Sequence, residues 1–473
     1  MANLSTTSDG DVKIQHSREY KIRRFMNWFP LGLTYATFYM GRYNINVVAG
    51  TVKSTFGVDN FQFGIILTAG FWVYALSVMF NGPLADRIGG KKAILFGTIG
   101  AATMNLLLGL TIFSGFLMQD NPLGPLGGVA SGIINGINSI FSAPILSSNK
   151  AQALFIIALI YALNSYFQSF GALSVVKVNA PWFHVRERGV FGGIFGIMIS
   201  SGYLLAFTVG GVILKNFDWY AIFIIPSIML VVMFVVDLIV VRETPKEAGF
   251  ENFNTGDAST GDDKPVDWNY LLKQVLSNPI IITLALAEFC TGFVRQGLLA
   301  YFNRFLEEVH HIVHKSHVSE WAGLGITIGG ICGGLLCGFL SDKVFQSRRP
   351  PVAFIFYIGQ VISLLILGWV SIPAMAAAMV GFSCMWIFGV HGMLSGTASA
   401  DFGGKKAAAT VTGLLDGVQY IASGFTGFGL GKIIDKFGWG VWTYCIIPFS
   451  IMGGLLMLRI WNAKPQKKDA GGH

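Results

Sequence analysis

Charge is scarce in this sequence. Asp, Glu, Lys and Arg make up 12% of the 473 residues, whereas 53% are hydrophobic and 59 residues are glycine. This composition is far from that of a soluble domain. Long apolar runs extend along the whole chain, so we expect its solvent to be a lipid bilayer.

Cysteine is also rare, and the usual catalytic motifs are missing. Five cysteines lie in apolar segments without metal-site or disulfide-like spacing, and we interpret them as small packing residues: Cys290, Cys332, Cys337, Cys384 and Cys445. We find no nucleotide-binding loop, nucleophile elbow, metal-ligand cluster or pair of catalytic carboxylates. The glycine-rich run at 329–338 is better explained by tight helix packing. We therefore expect no enzymatic activity, cofactor or metal.

Apolar spans of about 20 residues, the length of a membrane-crossing helix, recur along the chain. They predict twelve helices, near 27–48, 62–84, 93–115, 152–176, 188–214, 219–241, 280–302, 318–340, 351–371, 374–397, 407–432 and 438–460. The polar leader at 1–26 has no small-residue cleavage site, so we do not expect a removable signal peptide. The predicted fold class is an all-α membrane protein.

The distribution of basic residues predicts the orientation. If the N-terminus is cytoplasmic, that side collects most of the loop cations, among them Arg23, Arg24, Arg87, Lys91, Lys92, Arg186, Arg188, Arg242, Lys343, Arg348, Lys405 and Lys406. Both termini are then cytoplasmic, and a bacterial inner membrane is the expected location. This bias accounts for the net charge of +8, so we expect no nucleic-acid partner.

A repeated loop pattern divides the chain into two six-helix halves. Gly82 and Asp86 follow the second span, and Gly338 and Asp342 follow the eighth, at an offset of 256 residues. The expected organisation is a leader at 1–26, a first half at 27–241, a linker at 242–279, a second half at 280–461 and a tail at 462–473. The first half carries an outer insert at about 116–151, to which we assign no role.

Two arginines occupy corresponding places in the halves. Arg42, in the stretch FYMGRYNINV, and Arg295, which lies 253 residues later, are each about 15 residues beyond the start of a first helix. An arginine at membrane depth normally faces a cavity or a partner, and its planar fork matches phosphate and carboxylate oxygens. The pair therefore predicts an anion clamp between the halves.

The alternative is that each arginine is paired with a membrane carboxylate. Glu288 lies seven residues before Arg295, and Asp416 lies in the eleventh span, whereas the first span offers no acid to Arg42. Tyr35 and Tyr39 share a helix face with Arg42, so their phenols are candidates either to bind the anion or to pack between helices. His391, in the tenth span, is a candidate proton-responsive ligand or a packed, hydrogen-bonded histidine.

The repeated loops suggest a conformational role. The acids Asp86 and Asp342, with their basic neighbours Arg87 and Lys343, can form charge pairs that hold one side closed and break when it opens. Gly82 and Gly338 permit close helix approach. The same pattern is also compatible with loops that only end the helices and have no conformational role.

These stretches resemble the major facilitator superfamily. GPLADRIGGKKA, at 82–93, is similar to its loop signature, and FYMGRYNINV, PWFHVRERG, FVRQGLLAYF, GFLSDKVF, FGGKKAAATVTG and KFGWGVW resemble the organophosphate:phosphate antiporters over nearly the full chain. The resemblance implies alternating access by rocking of two halves, with Arg42 and Arg295 as the phosphate-binding arginines and Tyr35 and Tyr39 at tyrosine positions of the site. The sequence has Val78 and Ile199 where glycerol-phosphate carriers have a lysine and a histidine.

Three functions remain open at this point. The first is the exchange of a phosphorylated metabolite for inorganic phosphate by a monomer in the bilayer. These two anions are the expected small-molecule partners. The second is a proton-coupled carrier of a non-phosphorylated anion that uses Glu288, Asp416 or His391. The third is a membrane receptor that senses a sugar phosphate.

Overall fold

The computed structural model describes residues 3–6, 12–119, 135, 148–183, 197–252, 277–312, 316–345 and 348–463. A short antiparallel ribbon begins the described chain. In it, β1 (Asn3–Thr6) pairs with β2 (Val12–Gln15), so that Asn3 is opposite Gln15. The rest of the regular structure is helical, as expected of backbone that crosses a bilayer and must satisfy its own hydrogen bonds.

Sixteen helices carry the described fold. They are α1 (Arg18–Val47), α2 (Ala49–Phe56), α3 (Asn60–Ile88), α4 (Gly90–Phe113), α5 (Asn149–Gln168), α6 (Phe170–Asn179), α7 (Ile197–Asn216), α8 (Ala221–Val240), α9 (Pro279–Leu299), α10 (Phe302–Glu308), α11 (His317–Phe339), α12 (Arg349–Trp369), α13 (Pro373–His391), α14 (Ser399–Phe425), α15 (Gly431–Phe437) and α16 (Trp442–Arg459). A wider π-helical turn lies within α7 at Leu204–Val209, and others follow α11, α13 and α14 at Leu340–Val344, Gly392–Ala398 and Thr426–Leu430.

Helices are present in all twelve predicted spans, which confirms the predicted fold class. Ten helical segments of the described chain are long and apolar enough to cross a membrane. The other two spans, α1 and α14, are of sufficient length but more polar, because they carry the buried polar side chains at the centre of the molecule. The fifth span is described only from Ile197, and the predicted insert lies largely outside the described residues.

The first helix begins earlier than its hydropathy predicts. The Ser17 hydroxyl accepts a hydrogen bond from the Tyr20 backbone N–H, so the helix starts at Arg18, nine residues before the predicted position. Tyr20 packs with Trp182 and Phe183, and its hydroxyl donates to the Trp182 carbonyl at 3.1 Å. This polar leader segment is thus tied to the end of the fourth span.

Glycines set the closest helix contacts. A Cβ at Gly329 or Gly333 of α11 would overlap the main chain of α13 at Gly381 or Met385, so the glycine-rich run at 329–338 serves helix packing as predicted. Between the halves, α3 packs against α14 and the π-turn that follows it, at Thr426–Leu430. This contact between halves positions the central polar residues.

Candidate anion-binding site between the halves

Arg42 lies near the end of α1 and is only 2% exposed. Its Nε donates to Gln168 Oε1 of α5 at 2.9 Å, and its Nη1 donates to the Tyr420 hydroxyl of α14 at 2.9 Å. Its Nη2 has no hydrogen-bond partner in the described structure. A buried guanidinium with an unused donor can bind an anion.

Aromatic rings enclose this guanidinium. The Arg42 Cζ lies 5.0 Å from the Tyr39 ring centroid and 4.5 Å from that of Tyr74. Both distances are within cation–π range, which lowers the cost of burying the charge. Tyr35 packs edge-on against Tyr39 with centroids 5.4 Å apart, so it supports the ring that contacts Arg42. Tyr39 is therefore in the first layer around Arg42 and Tyr35 lies behind it.

Arg295 of α9 reaches the same place from the second half. It is 2% exposed, its Nη2 donates to Gln419 Oε1 at 3.0 Å, and its Nε has no partner in the described structure. Its Cζ lies 5.3 Å from the Tyr420 ring centroid. Since Tyr420 also bonds Arg42, the two arginines both contact this one tyrosine.

The alternative in which each arginine is paired with a carboxylate does not describe this arrangement. Within the described residues, no carboxylate oxygen lies within 4.0 Å of a nitrogen of Arg42 or Arg295. Both guanidiniums are held instead by neutral amide and phenol oxygens. Neutral partners do not compensate the positive charge by direct contact, which favours an anionic ligand.

His391 joins the second half of the site through Gln419. The Gln419 Nε2 lies 2.8 Å from His391 Nδ1, and His391 Nδ1 lies 3.6 Å from Glu288 Oε2. His391 is thus linked to Arg295 through the Gln419 side chain, and the buried carboxyl group of Glu288 lies beside it. Asp416, one turn before Gln419 and Tyr420 on α14, has one oxygen without a hydrogen-bond partner in the described structure.

Several members of the site are absent from the sequence-based prediction. Gln168, Gln419, Tyr74 and Tyr420 are polar side chains within long apolar spans, as are many others that only pack helices. A polar residue within a span is a weak signal, and no spacing links Gln168 to Arg42 across 126 residues. Only the fold brings these residues to the arginines.

The halves are joined on one face of the molecule, which we call the distal face: residues 48–60, 216–220, 300–312, 316–317 and 431–441. There Glu308 of α10 accepts from Lys53 Nζ at 2.8 Å and from Trp439 Nε1 at 2.9 Å. Asp435 of α15 accepts from the backbone N–H groups of Asn60 and Phe61 at 3.0 and 2.7 Å, at the start of α3. Charged and main-chain contacts thus hold the distal face closed.

Two glycines allow the halves to touch just beneath that face. A Cβ at Gly64 of α3 would overlap the main chain at Gly427, and the Tyr301 hydroxyl donates to the Gly427 carbonyl. The Thr68 hydroxyl donates to the Gly424 carbonyl at 2.7 Å. The distal closure therefore depends on close backbone approach as well as on charge.

The residues predicted to gate the opposite face are only partly described. The side chains of Asp86, Arg87 and Asp342 lie outside the described residues, and Lys343 is exposed. A Cβ at Gly338 would meet no atom of the described residues within 4 Å, and one at Gly82 would be 3.9 Å from Leu173 Cδ1. The close helix approach expected at these two glycines remains a prediction.

The fold and the site define a membrane transporter built from two helical halves, rather than an enzyme. The sequence profile of the Major Facilitator Superfamily matches residues 31–427, and the chain belongs to this family. This confirms the resemblance noted in the sequence.

Curated relatives match nearly the whole chain. The probable hexose phosphate transport protein of Chlamydia trachomatis is 25% identical over 96% of this chain and 95% of its own length. The glycerol-3-phosphate transporter of Bacillus subtilis is 25% identical over 94% of this chain and 93% of its own. The membrane sensor protein UhpC of Salmonella typhimurium is 23% identical over 92% and 91%. The relatives therefore include both transporters and a sensor.

A solved structure supports the fold independently. A bacterial homologue of the human lysosomal transporter Spinster, in an inward-facing and unoccupied conformation, superposes with a TM-score of 0.65. The match covers 94% of both chains at 16% sequence identity. At this identity the similarity concerns the fold alone.

Proposed function

We propose that this protein exchanges a phosphorylated organic metabolite, a glycerol phosphate or a sugar phosphate, for inorganic phosphate across a bacterial inner membrane. The observation that carries it is the pair of buried arginines, one from each half, which meet at Tyr420 with one nitrogen each left unpaired. The names of the hexose phosphate and glycerol-3-phosphate relatives support the same substrate class.

A phosphoryl group suits this site chemically. Its oxygens are spread around one centre and can accept from guanidinium groups on two sides at once, which a single carboxylate does less well. The free Nη2 of Arg42 and Nε of Arg295 supply one donor from each half. Binding would then draw the two halves together around the anion.

The same geometry suits alternating access. The distal contacts between halves consist of ion pairs, hydrogen bonds and glycine contacts, which can separate without unfolding either half. In our proposal the distal face is extracytoplasmic, both termini are cytoplasmic, and the protein works as a monomer. Asp86, Arg87, Asp342 and Lys343 would form the corresponding closure on the other face.

Two apolar residues set this chain apart from glycerol-phosphate carriers. Val78 of α3 is 3% exposed and Ile199 of α7 is half-buried, at the positions where the resemblance implies a lysine and a histidine. Without these polar groups, we propose that Gln168 and Gln419 contribute to anion binding. The organic part of the substrate would then contact a less polar surface.

A second function is favoured by the acids near Arg295. Glu288, His391 and Asp416 lie beside the site, which suits a proton-coupled carrier of a carboxylate. Sensing without net transport is the third candidate, and the name of the Salmonella typhimurium relative is what supports it.

Counterflow into phosphate-loaded liposomes that contain the purified protein tests the first function. We expect labelled phosphate to exchange in the wild type and the rate to fall about tenfold to hundredfold in Arg42→Lys and Arg295→Lys, since lysine cannot replace a forked donor. Arg459→Lys, at the exposed end of α16, is the matched control and should exchange normally. Equal rates in all variants would refute the role of the two arginines.

The same liposomes separate the alternatives. Wild-type protein that does not exchange phosphate but accumulates a carboxylate when a proton gradient is imposed would select the second function. Binding of a sugar phosphate, measured as a thermal shift, without any flux would select the third.

A further inference from the structure

Glu288 is a fully buried glutamate that lies near the arginine pair but forms no ion pair with either arginine in the described structure. Glu288 of α9 is 0% exposed, and neither of its carboxyl oxygens has a hydrogen-bond partner in the described structure. The His391 Nδ1 atom is 3.6 Å from Oε2, which is longer than a hydrogen bond.

The hydrogen bonds of Gln419 determine the charge of His391. The Gln419 carbonyl oxygen must face Arg295, because a guanidinium only donates. Its NH₂ group therefore faces His391 and donates to Nδ1 at 2.8 Å. A nitrogen that accepts cannot carry a proton, so His391 is neutral in this conformation and does not form an ion pair with Glu288.

The surroundings of Glu288 can be named element by element. Its own helix contributes Arg295 and Cys290, and the packed elements contribute Asp416 of α14, His391 of α13, Tyr357 of α12 and the main chain of Ser395 in the π-turn at 392–398. Helix α16, which also packs against α9, brings no titratable group to Glu288 in the part of the chain described. Arg295, already held by Gln419, is the only cation in this set.

An isolated carboxylate is very costly to bury, so Glu288 in this conformation is neutral and holds a proton. Asp416 is buried nearby, where the Ser395 hydroxyl hydrogen-bonds it and both arginines are within electrostatic reach, so it is the second acid of the site. If both acids were ionised, two negative charges would cancel the two guanidinium charges. A proton on Glu288 leaves the site with a net charge of at least +1 whichever state Asp416 is in, which favours an anion.

We propose that Glu288 is a proton-binding residue of the transport site and that a phosphate-type anion binds together with this proton. Anion and proton bind cooperatively, since each lowers the electrostatic cost of the other, and the coupling is reciprocal. Anion affinity is therefore highest at acidic pH and falls as Glu288 loses its proton.

This inference rests on the proposed function, so the probe is inorganic phosphate. The experiment compares its binding to the purified wild-type protein and to Glu288→Gln from about pH 5.5 to pH 8.5. The glutamine imitates the protonated acid at every pH, and titration of phosphate itself is common to both proteins. The ratio of the two Kd values therefore isolates Glu288. We expect a ratio near one at low pH that rises by up to about tenfold per pH unit, the limit for one linked proton.

Two further outcomes are decisive. A ratio that stays constant with pH would overturn the role of Glu288 and leave phosphate exchange intact. If His391→Gln abolishes the pH dependence and Glu288→Gln does not, the proton is on His391 and the assignment to Glu288 is wrong. No phosphate binding by the wild type at any pH would overturn the proposed function and this inference together.

Discussion

Gly427 offers the most direct test of how the distal face closes. In Gly427→Ala, the new Cβ would lie 2.5 Å from the Gly64 carbonyl oxygen and 3.0 Å from the Thr68 backbone nitrogen, and closer still to the Thr68 hydroxyl. Gly64 and Thr68 belong to the first half and Gly427 to the second. Backbone atoms cannot rotate away as a side chain can, so the methyl group must push the halves apart.

The expected size of the effect follows from the cost of overpacking, about 1–3 kcal/mol. This penalty applies only while the distal face is closed, because the contact is between halves. The population closed on the distal side should therefore fall by about fivefold to 150-fold relative to the open one, without loss of folding. Phosphate exchange, which in our proposal visits both states, should slow by a similar factor.

Spin labels at Ser54 and Lys436, both exposed on the distal face, measure this opening. The five native cysteines would first be replaced by alanine, and the distance distribution in Gly427→Ala should shift to longer values. Gly429→Ala is the matched control, since it lies in the same π-turn and its Cβ would meet no atom of the described residues within 4 Å. If both variants keep the wild-type distances and exchange rates, glycine contact does not limit closure.

The remaining predictions concern two side chains. Tyr420→Phe leaves Arg42 Nη1 buried without its 2.9 Å partner, so the KM for phosphate exchange should rise about tenfold. Tyr444→Phe, at an exposed position of α16, should not change it. An unchanged KM in Tyr420→Phe would show that this phenol does not position Arg42. Glu308→Gln removes the charge that pairs with Lys53. Since both side chains are partly exposed, the population that is open on the distal face should rise by only about twofold to fivefold. Glu251→Gln, which is exposed and far from that pair in sequence, is the control. If Glu308→Gln opened the distal face as much as Gly427→Ala, the Glu308–Lys53 pair would be stronger than we expect.

The helical architecture could be predicted because the bilayer imposes a simple rule on sequence. A backbone in hydrocarbon must be helical, and about 20 apolar residues are needed to cross it. The rule is least informative for α1 and α14, which are the most polar spans because they carry Arg42, Asp416, Gln419 and Tyr420. It also missed the start of α1, which depends on the Ser17 cap rather than on hydropathy.

The arginine pair could also be predicted, because a buried cation is costly and the repeat places one in each half. The neutral partners could not, since Gln168, Gln419 and Tyr420 reach the arginines from helices distant in the chain. The prediction for the gating residues Asp86, Arg87, Asp342 and Lys343 remains a prediction. Their counterparts on the distal face, Glu308 and Asp435, have no repeated motif that would have revealed them.

The sequence by itself determined that this chain is a membrane protein of two related halves and that Arg42 and Arg295 lie at corresponding positions of the two first helices. Those properties follow from composition, periodicity and the cost of burying charge, which act locally along the chain. Only the tertiary structure decided that both arginines contact Tyr420, that Gln419 joins Arg295 to His391, and that Glu288 is fully buried beside them. Hydrogen bonds depend on distances of a few tenths of an ångström between residues hundreds of positions apart, and no local pattern encodes them.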